Sequence, residues 1–354
     1  GGWGTILVGG MRFGGARISA QDLDMADNGV QDYPADLRQF TSAYFIFDIT
    51  NPEVKPELLG ELTFNSASHA DLGFTTPMPT VVPMKTAANT SEWYLVLGSG
   101  PTALDGTSNQ RAKVAVFSLK TLTTSPRAAF QIPAGTPTTS SGQAGAFPLI
   151  ASSTDSFVSD LITVDFDLVE NYRADVVYFG TVEGTWGNWG GKVYRLITQK
   201  KDSSSGQEVV SEPKDWAGLL SAPLFNPWPL IDVGRPVTAA PTIGWDGENR
   251  WVYFGTGRFF DPDDKIDAGS NGQEAYYGIK EPQDCDGNLT WFPVEKSPDN
   301  PSTTPGNRGL LRVDQILVED YSGNLSCSGG GDACLPEVDG SIDGSKVVTF
   351  NGLV

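Results

Sequence analysis

Short apolar runs occupy most of the chain, and clusters of glycine, proline, asparagine, aspartate and serine separate them. The runs are about four to eight residues long, and many alternate apolar with polar positions. No long segment repeats its apolar positions with the period of an amphipathic helix. Runs of this length between turn-forming residues are typical of β-strands. The pattern therefore predicts an all-β protein.

Four of the runs resemble one another, because each places aromatic or β-branched residues directly before a glycine. These glycines are Gly9, Gly98, Gly180 and Gly255, and a second apolar run follows each one. Repeated β units that pack on one another predict a β-propeller, with a β-sandwich as the structural alternative. The glycines are 89, 82 and 75 residues apart, whereas blades usually repeat every ~40–50 residues. We therefore expect long insertions or two blades per repeat.

Composition narrows the choice of partners. The chain has 354 residues and a formal net charge of −19. Nucleic acids and anionic membranes bind surfaces rich in lysine and arginine, so this charge argues against both. No apolar stretch approaches the ~20 residues that a membrane-spanning helix needs. Metal cations and basic protein surfaces are compatible with the composition.

The clearest candidate for metal chemistry is the segment 165–175, which reads DFDLVENYRAD and lies directly before an apolar run. Calcium takes about six to eight oxygen ligands from carboxylates, amides and backbone carbonyls at alternating loop positions. Magnesium suits the segment less, because it demands stricter octahedral geometry. On these residues alone, an acidic turn whose carboxylates cap backbone amides is the competing interpretation.

Cysteine and histidine are sparse. His69 is the single histidine, which argues against histidine-based triads and most zinc sites. Cys327 and Cys334 flank a glycine-rich loop and are expected to form a disulfide in an oxidising compartment. Cys285 is then left over, and three unpaired thiols are the alternative.

Two further segments carry candidate side chains. Trp186 and Trp189 lie in a glycine-rich turn and are interpreted as packing aromatics. An exposed pair of this kind would instead offer a surface to a sugar ring or a peptide. The acidic segment 261–267 is interpreted as a solvated loop.

A family resemblance rests on several of these runs. VGRPVTAAPTIGWDGENRWVYFGTGRFFDPDD, followed by EAYYGIKE, resembles the C-terminal β-propeller of the PilC/PilY family of type IV pilus biogenesis and tip-adhesion proteins. WGTILVGGMRFGG with AYFIFDITNP is similar to the opening blade of that propeller. ADVVYFGTVEGTWGNWGGKVYRL is similar to the blade that follows the family's calcium loop. The resemblance covers nearly the whole chain in order.

The resemblance implies one propeller domain over residues 1–354, within a longer protein. That protein would carry an N-terminal von Willebrand A-like region and further C-terminal sequence. The implied location is exported: the cell surface, the outer membrane or the pilus tip. The implied partners are pilin subunits, minor pilins or other pilus machinery, together with a host or surface receptor.

The resemblance also implies a calcium site in an EF-hand-like loop. Its ligands would come from Asp165, Asp167, Asn171, Arg173 and Asp175, with Arg173 contributing its backbone carbonyl. Two alignments compete. A loop that begins at Asp167 keeps the family's length but places the apolar Val169 at the third position. A loop that begins at Asp165 keeps both early aspartates but needs a two-residue insertion.

These features favour a non-enzymatic pilus protein in which calcium modulates extension, retraction and adhesion. No nucleophile–base pair stands out in the sequence. A quinoprotein-like dehydrogenase propeller is one alternative, and it would need a central tryptophan with a convergent set of polar groups. A carbohydrate-binding propeller is the other, and it would need exposed aromatic platforms on its loops.

Overall fold

The computed structural model describes residues 4–15, 18–22, 36–40, 42–63, 72–85, 91–120, 129–131, 145–148, 152–166, 173–201, 208–210, 216, 229–247, 249–265, 274–282 and 294. All three cysteines, His69, Asp167 and Asn171 lie outside these ranges. No helix in the described part is long and apolar enough to cross a membrane. The described residues form β-strands and turns, which confirms the all-β prediction.

Four main sheets follow one another along the chain. Sheet 1 contains β1 (Ile6–Gly10), β4 (Ala43–Asp48), β5 (Glu57–Thr63) and β9 (Ala129–Gln131). Sheet 2 contains β6 (Thr80–Lys85), β7 (Ser91–Gly98), β8 (Lys113–Ser118) and β10 (Gly145–Pro148). Sheet 3 contains β11 (Ser156–Val164), β12 (Val176–Thr185), β13 (Asn188–Gly190), β14 (Lys192–Ile197) and β17 (Pro229–Asp232). Sheet 4 contains β18 (Thr242–Trp245), β19 (Arg250–Gly255) and β20 (Tyr276–Lys280).

The remaining strands form two ribbons, and two 3₁₀ turns complete the described elements. One ribbon pairs β2 (Ile18–Asp22) with β3 (Asp36–Phe40). The other pairs β15 (Gln199–Lys201) with β16 (Glu208–Val210). The 3₁₀ turns span Phe13–Gly15 and Pro262–Lys265.

Within each sheet, strands that neighbour one another in the chain pair as an antiparallel meander. Sheet 2 has the order β6-β7-β8-β10, and sheet 3 has the order β11-β12-β14-β17. In sheet 4, β19 lies between β18 and β20. Sheet 1 departs from this pattern only at β9, which pairs with β5 in parallel.

The sheets pack face to face in series, so a central sheet is buried on both sides. In β12, Val177 and Phe179 belong to the core shared with sheet 2. Their neighbours Val176 and Tyr178 belong to the core shared with sheet 4. A third core joins sheets 1 and 2. Because side chains alternate between the faces of a strand, two apolar faces make a nearly continuous apolar run.

Two of the four repeated glycines, Gly98 and Gly180, lie where one sheet closely approaches the next. A Cβ atom at Gly98 would stand 2.7 Å from the Cβ of Val158, and one at Gly180 would stand 2.5 Å from Val237 Cγ1. At the first interface the close approach falls at Gly10, 2.8 Å from the Thr75 carbonyl oxygen. Gly9, the residue that the sequence pattern selected, has no such neighbour within 4 Å. The structural equivalent in the first repeat is therefore Gly10.

A β-bulge bends β11 between Val158 and Leu161. The Ser159 side chain turns into the sheet there, and its Oγ accepts a hydrogen bond from the Gly180 backbone N–H at 2.8 Å. Ser159 is buried. The hydroxyl thus replaces a ladder bond that the bulge removes. Each sheet is open among the described residues, and closure into a propeller stays a prediction.

Candidate functional site

The predicted calcium loop joins β11 to β12. The last pair of the ladder is Val164 with Val176, so residues 165–175 form the connecting loop. The structure describes Asp165, Arg173 and Asp175, which lie at the two ends of this loop. Asp167 and Asn171 fall outside the described residues, so the full ligand set stays a prediction.

Asp175 closes the base of this loop. Its backbone N–H donates to the Val164 carbonyl at 2.9 Å, and its Oδ2 accepts from the Phe166 N–H at 2.6 Å. The Asp175 carbonyl also accepts from the Thr198 N–H at 2.9 Å. These bonds hold the two ends of the loop together, with Asp165 directly after β11 and Asp175 directly before β12. The described residues contain no group of three histidine, cysteine or acidic side chains able to hold a metal.

The described donors match calcium in kind. Carboxylate oxygens are hard ligands that calcium accepts in flexible geometry. The hydrogen bond from Phe166 also satisfies the competing interpretation, an acidic turn that caps backbone amides. Both interpretations therefore place Asp175 at the base of the loop. They differ in what the carboxylates of the loop bind, which is a calcium ion in one and backbone amides in the other.

Four phenylalanines from different sheets meet at the opposite end of the array. Phe13 follows β1 and lies 5.2 Å from Phe74 and 5.9 Å from Phe260, measured between ring centroids. Phe157, in β11, lies 5.5 Å from Phe260 at an interplanar angle of 85°. We call these four residues the aromatic hub. Phe74 precedes β6 and Phe260 follows β19, so the hub joins segments that belong to or flank all four sheets.

Arg258 ties the hub to two neighbouring loops. Its guanidinium carbon lies 3.7 Å from the centroid of the Trp189 ring. Its Nε forms an ion pair with Asp264 Oδ1 at 2.9 Å, and Nη2 donates to the Asp105 carbonyl at 2.6 Å. Both charged side chains are nearly enclosed, with exposures of 5% and 1%. Stacking over an indole ring and pairing with a carboxylate both stabilise a desolvated guanidinium.

This arrangement corrects the solvated-loop interpretation of segment 261–267 at Asp264 alone, since Asp263 is exposed. Asp264 is buried, and its Oδ2 accepts hydrogen bonds from the backbone N–H groups of Phe260 and Asp261. The segment therefore supplies an internal counter-ion to Arg258. Asp267 lies outside the described residues.

Large apolar side chains are exposed around the hub, one from each sheet. They are Met11 at 38% exposure, Leu104 at 64%, Trp186 at 44% and Phe259 at 68%. We call these four residues the rim. Met11, Leu104 and Phe259 each lie within two residues of a residue that belongs to the hub or contacts Arg258. The Trp186 ring itself lies 5.6 Å from the Arg258 guanidinium. Exposed apolar side chains gathered at one place are typical of protein-binding surfaces.

The tryptophan pair does not form an open platform. Trp189 is buried at 4% exposure, and its ring lies 6.2 Å from that of Trp186 at an angle of 64°. Arg258 covers one of its faces. Trp189 is therefore a packing aromatic, as one of the two interpretations of the sequence predicted. Of the pair, only Trp186 is exposed at the surface.

The surroundings of the rim carry negative charge. Asp155 precedes β11, and Asp261 and Asp263 lie on the same loop as Phe259. Arg12 beside Met11 is exposed, whereas Arg258 is paired internally. Hydrogen bonds from Thr107 lower the pKa of Asp105 below its ordinary value, so this carboxylate is also ionised. With a net charge of −19, the rim suits a partner that carries basic groups.

A second buried ion pair joins sheets 3 and 4. Arg195 Nη1 contacts Glu281 Oε1 at 2.6 Å, and the Tyr178 hydroxyl donates to Glu281 Oε2 at 2.9 Å. Burial raises the pKa of Glu281 above its ordinary value, and the Arg195 guanidinium opposes that shift. Both charged side chains have no exposed surface. The network therefore links two sheets and is inaccessible to a substrate.

Comparison of the chain with protein-family models finds no match, and no curated protein matches it. The resemblance to the PilC/PilY family therefore stays a prediction that rests on the quoted segments.

Proposed function

We propose that this chain is a non-enzymatic binding protein of the type IV pilus, built on a propeller-like series of β-sheets. Its place is the cell surface, the outer membrane or the pilus tip. The rim binds pilin-type subunits or other pilus machinery, and the 165–175 loop binds calcium at the other end of the sheets. Together these sites support pilus biogenesis, extension and retraction, and adhesion.

The observation that carries the proposal is the rim on its aromatic hub. A rigid scaffold that presents loops from several sheets at one end is a common arrangement for binding. The exposed apolar side chains there can anchor a partner protein by burying apolar surface. The carboxylates around them favour a partner that carries basic groups. The buried Arg258 holds the loops in place without contributing its charge to the surface.

The propeller is the arrangement that best extends the observed packing. Packing in series buries both faces of sheets 2 and 3 but only one face each of sheets 1 and 4 in the described cores. Arrangement around a central axis removes those exposed faces. The repeating glycine contacts at Gly98 and Gly180 support this arrangement, because they give successive interfaces the same close approach.

Substitution of the rim tests partner binding. Purified soluble domains of pilin and minor pilins are titrated against the parent chain, Leu104→Ser and Phe259→Ser. We expect each variant to bind about tenfold more weakly, because the few residues that anchor an interface cost more than ~1 kcal/mol when they are truncated.

Trp245→Ser is the matched control for the rim variants. Trp245 is 75% exposed but lies at the opposite end of sheet 4, so its loss should leave the affinity unchanged. Equal affinity in all four proteins, or no binding to any pilus subunit, contradicts the proposal.

Calorimetry tests the calcium site. Asp175→Asn keeps an oxygen acceptor for the Phe166 N–H but removes the charge. We expect saturable calcium binding by the parent and binding at least about tenfold weaker in the variant, because calcium affinity depends on ligand charge. Asp263→Asn, at the rim end, should bind calcium like the parent. A parent without saturable binding leaves the amide-capping turn as the correct interpretation.

A further inference from the structure

The turn after β1 contains an arginine whose backbone is left-handed. Arg12 has a φ of 52°, and it is the one non-glycine residue with a positive φ in the described part of the chain. A side chain in this region costs free energy, because its Cβ atom crowds the backbone. The other described residues with a positive φ are all glycines: Gly73, Gly106, Gly184, Gly187, Gly234, Gly247 and Gly257.

Backbone hydrogen bonds hold this turn in place. The Gly14 N–H donates to the Met11 carbonyl at 3.0 Å, and the Met11 N–H donates to the Ala43 carbonyl at 3.3 Å. The Arg12 N–H donates to Thr75 Oγ1 at 3.1 Å. Arg12 contributes only its backbone to this set of bonds. Glycine at position 12 would therefore keep them and would avoid the cost of the positive φ.

The Arg12 side chain carries a positive charge to the rim. It is exposed, and no described carboxylate forms an ion pair with it. It lies directly after Met11, on a surface that also carries Asp261 and Asp263. The exposed lysines of the described chain, Lys55 and Lys120, lie at the opposite end of the sheets. The strained arginine is thus placed where the binding surface needs a cation.

Non-glycine residues in the left-handed region concentrate at ligand-binding positions, where the side chain is needed despite its cost. The planar guanidinium of arginine matches the two oxygens of a carboxylate. Arginine is also enriched among the residues that contribute most to protein interfaces. We propose that Arg12 is a binding residue of the rim, and that its guanidinium pairs with a carboxylate on the bound protein.

The inference rests on the proposed function of the rim, and it adds the chemistry of the partner. The carboxylates around the rim attract a surface with basic groups, whereas Arg12 requires an acidic group within that surface. A partner that matches both charges is held in one orientation, since rotation would bring like charges together. Arg12 therefore selects the orientation of the partner, and Leu104 and Phe259 supply apolar anchors.

The melting temperature of Arg12→Gly shows whether the arginine side chain supports the turn. Glycine accepts a positive φ without steric cost, although it also loosens the unfolded chain. We expect this variant to melt no lower than the parent, and up to about 2 °C higher. A fall in its melting temperature would assign the side chain a structural role and overturn the proposal.

Titration of the soluble pilin and minor pilin domains against the same variant measures the contribution to binding. We expect Arg12→Gly to bind about tenfold more weakly than the parent, although it is at least as stable. Arg12→Lys keeps the charge and the positive φ but loses the planar donors, so its affinity should fall less. Lys55→Gly removes an exposed charge at the other end of the sheets and should bind like the parent.

The outcomes separate this inference from the proposed function of the rim. Parent affinity in Arg12→Gly, together with weaker binding by Leu104→Ser, overturns the role of Arg12 and leaves the rim as the binding surface. An affinity of Arg12→Lys as low as that of Arg12→Gly overturns it too, because the positive charge would then contribute nothing. If the parent binds no pilus subunit, the proposed function fails and this inference fails with it.

Discussion

At the scale of single residues, the buried charges are those with the strongest structural consequences. Arg195 with Glu281, and Arg258 with Asp264, are ion pairs with almost no exposed surface. Removing a charge from water is costly, so each pair is stable only while both partners are present. Arg195 and Glu281 are 86 residues apart and fasten sheet 3 to sheet 4, whereas Arg258 and Asp264 belong to the same segment after β19 and hold that segment in its fold.

Glu281→Gln should strongly destabilise the protein. The substitution leaves the Arg195 guanidinium buried without its counter-ion, which typically costs about 3–5 kcal/mol of unfolding free energy. Denaturant unfolding measures the change. Glu53→Gln, an exposed position, should stay within ~0.5 kcal/mol of the parent. A loss below ~1 kcal/mol in Glu281→Gln would show that the pair is not sealed from water.

The residue scale is also where prediction from sequence fails most clearly. The sequence shows which asparagine, aspartate and tryptophan side chains are candidates for a functional site. It does not show which distant residues they contact in the fold. Asp105 and Arg258 are 153 residues apart and meet only because sheets 2 and 4 place their loops at the same end. No local pattern marks Asp264 as buried. Its role follows from the packing of Trp189 and Arg258, which the chain brings together from two sheets.

At the scale of elements, much of the fold was predictable because strands leave a strong pattern. Apolar runs before glycine correspond to β7, β12 and β19, and the runs that follow correspond to the strands paired with them. The reason for the glycines was also accessible: close packing explains Gly98 and Gly180, neither of which has a positive φ. The glycine predicted for the first repeat, Gly9, was wrong by one residue. Gly9 and Gly10 lie on opposite faces of β1, and the sequence does not show which face meets the next sheet.

The bulge in β11 yields a prediction for a single hydroxyl. Ser159→Ala removes the acceptor of the Gly180 N–H inside a buried sheet. An unpaired buried N–H costs about 1–3 kcal/mol, so we expect a loss of that size in denaturant unfolding. Thr154→Ala, at an exposed position just before the strand, is the control. Equal stability of both variants would mean that another group satisfies Gly180.

At the scale of the whole molecule, the sheets act as spacers between two chemically different ends. The 165–175 loop joins the first and second strands of sheet 3. The rim loops of sheets 2, 3 and 4 follow the second strands β7, β12 and β19, and Met11 follows β1. Strand direction alone places them on opposite sides. A rigid stack with a proposed ion site at one end and apolar anchors at the other suits a protein that links partners. The order of sheets was predictable from the repeats, whereas the hub and rim depend on contacts between distant loops.

Hydrogen–deuterium exchange of the full chain, with and without a bound pilin-type domain, tests the proposed binding function most directly. Each rim loop reports separately, so the measurement locates the partner without a substitution. We predict slower exchange in the loops that carry Met11, Leu104, Trp186 and Phe259 when the partner is bound. The turn at 246–249, at the other end of the sheets, should exchange at the same rate in both samples. Protection confined to that turn, or no protection anywhere, would contradict the rim as the binding surface.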